Sequence, residues 1–354
     1  MFKSILMLIS AASIALTSGC SDQSGTNSGQ LSGEWLIPLD EVFDGGPGKD
    51  GIPALSNPNL IDAAQASFLG SNDLVLGVSL HGEQRAYPHP ILDWHEIMND
   101  EIQNSFFAVT YCPLTGSGIV WDRSLSGTVT TFGVSGLLYN TNLIPYDRAS
   151  GSNWSQMKLL SVNGNLAGKS AELFPVVETG WDTWKKMYPQ APVVSTNTGY
   201  SRSYGRYPYG DYRTNDNRLL FPVDNDDGRL DRKERVLGVI VGSTSKVYPI
   251  NQFPADISVV TDTINGRSHV VVGSSRLNFA VAFQDQTSDG TRLSFSPLQD
   301  ELPSIMIDDE GTTWDVFGYG ISGPRAGEQL TQSRSFVAYW FAWAAFYPGA
   351  AIHP

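Results

Sequence analysis

The stretch that decides the fold is LVLGVSLHGEQRAYPHPI, residues 74–91, because it recurs as RVLGVIVGSTSKVYPINQ at residues 235–252. Laid together without a gap, Val75-Leu76-Gly77-Val78 falls on Val236-Leu237-Gly238-Val239, Arg85 on Lys246, and Tyr87-Pro88 on Tyr248-Pro249. Self-similarity over so long a period points to one structural unit used twice. The match continues downstream: NWSQMKLLSVNGNLAGKSAEL (153–173) resembles TWDVFGYGISGPRAGEQLTQ (313–332), and WDTWKKMYP (181–189) resembles WFAWAAFYP (340–348). Trp154 then stands on Trp314 and Trp184 on Trp343. Aromatic positions shared by both copies are what a common core requires, so Trp154 reads as core before it reads as ligand contact.

Within each copy the pattern is mostly β. Runs such as LVLGVSL, FFAVTY, GIVWD and TVTTFGV are rich in Val, Thr and aromatics and are punctuated by Gly, Asp and Ser turns. Helical spacing is expected at ILDWHEIMND, at WDTWKKMY and at SFVAYWFAWAAFY, the last apolar all round and therefore buried. Residues 40–60 and 199–232 are rich in Gly, Pro, Asp and Tyr and read as long loops. The expected fold is mainly β (α+β), an internally duplicated unit with a few short helices, its copies packed as one body or as two domains. The first unit spans 35–198, a linking region 199–234, and the second unit 235–354.

The chain opens MFKSILMLISAASIALTSGC, with Lys3 followed by an apolar run too short to span a bilayer and then small residues. Thr17-Ser18-Gly19-Cys20 resembles a bacterial lipobox, with Thr17 where leucine is usual. On that reading 1–19 is a lipoprotein signal peptide, Cys20 carries the lipid (palmitate and its kin), and 20–34 is a polar tether. The expected place is the bacterial cell envelope, with the lipid in the membrane and the body on the periplasmic face of the outer membrane, as Ser21 permits. An ordinary cleaved signal with Cys20 incidental is the alternative. A formal net charge of -13 argues against nucleic acid as a partner.

The copies differ in chemistry. At the same spacing, His89, His95 and Cys112 of the first copy face Ile250, Asp256 and Gly273 of the second, so a site is sought in the first copy. Cys112 ends an apolar strand before Pro113, which places the thiol at a sheet rim. A thiolate with the His95 imidazole suits copper or zinc, and the Met157 thioether would favour copper. Alternatively an imidazole activates Cys112 as a nucleophile for a hydrolase or transferase, or the thiol is a small buried hydrophobe in a non-catalytic binding or scaffold protein. His89, between two prolines, reads as a loop residue. VDNDDGRLDRKE (223–234) misses the calcium-loop template, with Val223 at the first ligand position, and reads as a solvated acidic turn.

DGIPAL, RAYPHPILDWHEIMND, TYCPLTGSGIVWDR, TFGVSGLLYNTNLIPYDRASGSNWSQM and GNLAGKSAEL resemble the bacterial family catalogued as domain of unknown function 3179, over most of the chain from Asp50 onward. The resemblance implies membership and no activity. Such proteins commonly carry two cysteines where this chain has CPLTG, so Thr115 stands in place of the second. His95, Glu96, Asp122, Arg123, Ser135 and Trp154 match the family's patterned positions, and His89, Glu96, Asp122, Arg123 and Trp154 are the further candidate pocket residues.

Overall fold

A computed structural model describes residues 33–354. The signal segment, Cys20 and nearly all of the tether lie outside the described residues. Gly33–Pro354 form one compact unit. Strands dominate it, as expected, and its three α-helices have seven residues each.

In the first half, Leu74–Leu80 and Glu83–Pro88 form a hairpin. Val176–Gly180 pairs antiparallel to its first strand, and Val193–Val194 lies parallel to its second. In the second half, Arg235–Val241 and Thr244–Pro249 make the same hairpin, flanked by antiparallel Ser335–Tyr339 and parallel Ala351–Ile352. Both four-strand arrays thus have one order. Each outer strand runs into a helix, Trp181–Met187 (α2) or Trp340–Phe346 (α3), which lays an indole on the hairpin's glycine. A Cβ added at Gly77 would come within 1.9 Å of the Trp184 ring, and one at Gly238 within 2.1 Å of Trp343. Close approach, not backbone angle, is why both positions are glycine.

A three-strand meander follows in each half: Ile97–Ile102, Ser105–Cys112 and Ser117–Asp122, then Ser258–Ile264, Arg267–Ser274 and Phe279–Gln284. Their registers correct one sequence expectation. Asp100 lies opposite Phe107 and Asp262 opposite His269; Cys112 lies opposite Ser117 and Ser274 opposite Phe279. The counterpart of Cys112 is therefore Ser274, one residue beyond Gly273. Side chains agree: Tyr87 donates to Asp100 at 2.7 Å and Tyr248 to Asp262 at 2.8 Å. Arg85 and Lys246 pair with the same two carboxylates. Further on, the Trp154 indole donates to Asp147 at 3.1 Å and the Trp314 indole to Asp308 at 2.9 Å.

Two helix boundaries differ from the pattern reading. The helix His89–His95 (α1) stops before Glu96, whose φ of 56° is left-handed, and Ile97 onward is strand. SFVAYWFAWAAFY divides into the strand Ser335–Tyr339 and α3, because a strand buried on both faces is as apolar as a buried helix. The core runs through both halves: Val75, Val177 and Trp184 share a cluster with Val272, Phe279 and Trp314. In the acidic loop, Arg229 and Arg232 pair with Asp227 and Asp226.

Candidate functional site

A cavity of about 370 Å³ opens in the first half, where the end of α1, the end of the Ser105–Cys112 strand and the Phe132–Tyr139/Asn142–Asp147 hairpin converge. Leu114, Val134, Leu137 and Leu143 give it apolar walls, Ile52 and Pro53 close one side, and Arg202, Pro208 and Tyr209 reach over from the linking region. Among the bonds that clasp that region to the site are Tyr207 Oη to Pro113 O at 3.0 Å, Tyr212 Oη to Leu114 O at 2.9 Å, and Trp94 Nε1 to Arg206 O at 3.1 Å.

Glu96 enters this cavity because the chain turns left-handed there. Its N–H still closes the helix on Leu92 O at 2.7 Å, and its carbonyl accepts Tyr111 N–H at 2.7 Å. Its side chain is buried in the cavity wall with Tyr209 as its hydrogen-bond partner. Burial pushes its carboxyl up to about 8, so it keeps its proton at neutral pH.

Cys112 is 1% exposed on the cavity floor. Its thiol faces Thr141 O at 3.7 Å and is met by Thr115 and by Leu143 N–H. Those donors favour a thiolate, but burial and the neighbouring Glu96 outweigh them and push the thiol up to about 11. A protonated, enclosed thiol is a poor nucleophile.

Beneath it lies a closed polar network. Asn142 Nδ2 donates to Thr115 Oγ1 at 2.9 Å and to Gln156 Oε1 at 2.7 Å. Ser117 donates to Gln156 Oε1 at 2.6 Å, and Gln156 Nε2 donates to Thr110 Oγ1 at 2.9 Å. All five side chains are buried.

Of the three expected metal ligands, only Cys112 lines the cavity. His95 has both nitrogens engaged, Nδ1 with Pro53 O at 2.7 Å and Nε2 with Tyr204 Oη at 2.8 Å, and burial lowers its pKa. Its role here is to tie the 50s loop and the linking region to α1. Met157 is fully buried; its N–H donates to Asn142 Oδ1 at 3.3 Å and its carbonyl accepts Tyr347 Oη at 2.6 Å. Among the described residues no group of three or more His, Cys, Asp or Glu is placed to hold a metal ion.

The other candidates disperse. His89 is not a loop residue but the buried first residue of α1, 3.2 Å from Glu178, which also holds Arg235 of the second half. Trp154 packs edge-on against Phe132 in the core. Asp122 caps a turn through Ser124 N–H at 2.7 Å. Arg123 is buried and donates to the carbonyls of Asp100, Phe107 and Thr130. Glu96 alone of these stands with Cys112 in the cavity. Tyr209, Arg202, Asn142 and Gln156 were not singled out by the sequence; the tyrosine-rich linking region was the one available signal for the first two.

The family model described as "Protein of unknown function (DUF3179)" matches residues 49–350. No curated protein and no solved structure matches the chain.

Proposed function

The chain belongs to the DUF3179 family, and we propose that it is an envelope-anchored lipoprotein whose body binds an apolar small molecule in the first-half cavity. The observation that carries this reading is the cavity itself: about 370 Å³, walled by leucine, valine and proline, with a few buried polar groups. That size and lining are those of a small-molecule site. A non-catalytic binding role is favoured over a soft-metal centre because neither His95, whose two nitrogens are engaged, nor Met157 lines the cavity with Cys112. It is favoured over a thiol nucleophile because the thiol keeps its proton and no histidine is among the residues that line the cavity. The anchor rests on the lipobox-like start alone.

Fluorescence titration with phenylnaphthylamine, an apolar dye, tests the cavity. Saturable binding to the folded body is expected, and Leu137→Trp or Leu143→Phe, each filling the cavity, should abolish it without changing the circular dichroism spectrum. Absence of saturable binding, or equal binding by both folded variants, refutes the reading. For the anchor, Cys20→Ser should move the protein from the membrane fraction to the soluble one.

A further inference from the structure

Among the described residues, buried carboxylates have cations or several donors, with one exception. Asp93, on the same cavity, is gripped by Arg213 through both oxygens at 2.8 Å. Glu178 is held by Arg235 and His89. Asp315 accepts Phe317 N–H at 2.9 Å, Tyr319 N–H at 2.8 Å and Tyr188 Oη at 3.2 Å. Glu96 is as deeply buried, yet among the described residues only Tyr209 bonds its carboxyl. A buried carboxylate without a cation is costly as an anion but acceptable as a neutral acid, which has a proton to donate.

We infer that Glu96 is the polar anchor of the cavity and that, as a neutral acid, it donates a hydrogen bond to the carbonyl oxygen of an uncharged apolar ligand. This rests on the binding role proposed above and names its ligand class. The cavity's other charged lining residues are Asp93 and Arg202. Asp93 is neutralised by Arg213, and Arg202 disfavours a cationic amine. The remaining titratable neighbours stay neutral in the useful range: burial raises Cys112 to about 11, raises Tyr209 further, and lowers His95. From neutral pH to about 10, Glu96 is the group that changes charge at the ligand.

The experiment uses prodan, a neutral naphthyl ketone whose emission reports hydrogen bonding to its carbonyl, beside phenylnaphthylamine, which has none. The wild-type body should bind prodan with hydrogen-bonded emission, and binding should weaken by about tenfold as pH rises from 7 to two units past the Glu96 transition near 8. Glu96→Ala should weaken prodan binding by about tenfold at pH 7. Glu96→Gln, which keeps an N–H donor and cannot titrate, should rescue most of that loss and bind independently of pH. Phenylnaphthylamine should show none of these effects. If prodan binds equally to wild type and Glu96→Ala with a flat pH profile, the anchor is refuted and the cavity reading stands. If Glu96→Gln binds no better than Glu96→Ala, the donor role is refuted. If neither dye binds any folded form, both readings fall.

Discussion

Cys112 and Ser274 occupy the same point in the two halves, and what lies beneath them is opposite in character. Ser274 accepts Leu277 N–H at 3.1 Å, three residues on, as Cys112 is met by the N–H of Thr115, three residues on. Below Cys112 are Thr110, Ser117 and Gln156, joined by hydrogen bonds. By sheet register and the shared tryptophans, the second half has Val272, Phe279 and Val316 there, all in one apolar cluster. The strand order is the same without the network, so this architecture does not require it. A buried polar network is expensive unless fully satisfied, and the first half carries it directly under the cavity. On the binding role proposed above, the first half presents the site, while the second half fills the same point with apolar core.

If the halves share one packing logic, the tryptophans over Gly77 and Gly238 should matter equally. Trp184→Ala and Trp343→Ala are each expected to cost about 3–5 kcal/mol in urea unfolding, since each leaves a cavity in a fully buried position. A large cost in one half and a negligible one in the other would break the comparison at its base.

Gln156→Leu should come next, at about 2–3 kcal/mol, because it takes from Ser117, Asn142 and Thr110 the amide that each of them bonds. Thr110→Val, Ser117→Phe and Gln156→Val together copy the second half; this triple variant should lose less than the sum of its singles. A simple additive loss would mean that the network is not one unit.

Glu96 sharpens the comparison through pH. Its carboxyl is raised from 4.5 to about 8 by burial, so between those values the folded chain holds a proton that the unfolded chain has released. Stability should fall as pH rises through that window, by about 1.4 kcal/mol per unit at most, and level off above it. Glu96→Gln should remove this slope. An unchanged slope in thermal melts would place the titration elsewhere.

The two like hairpins were legible because Leu74–Leu80 and Arg235–Val241 keep the same residues wherever strand and glycine must meet an indole. The register of Cys112 was misplaced by one residue because α1 and the short turn Ile250–Gln252 separate hairpin from meander differently, and spacing alone does not reveal where a shift is absorbed. Cys112 and Glu96 were visible as chemistry. That Glu96 turns left-handed into an apolar cavity, while the buried His95 beside it turns to Pro53 and Tyr204, depends on contacts across long stretches of chain. Tyr209 and Arg202 reach the site from the linking region for the same reason.

The smallest expected effect bears on the thiol itself. Cys112→Ser places in the first half the residue that the second already uses at the same point, where each accepts the N–H three residues on, so its cost should be about 1 kcal/mol or less. The variant should bind phenylnaphthylamine as the wild type does, and in the native wild type the thiol should react with a disulfide reagent far more slowly than after unfolding, since it is buried and protonated. Copper or zinc added to the native protein should leave both proteins' spectra and melting temperatures alike. A metal-dependent stabilisation lost in Cys112→Ser and in His95→Ala would instead require His95 to leave Pro53 and Tyr204, and would turn the contrast between Cys112 and Ser274 from a difference in packing into a difference in ligand chemistry.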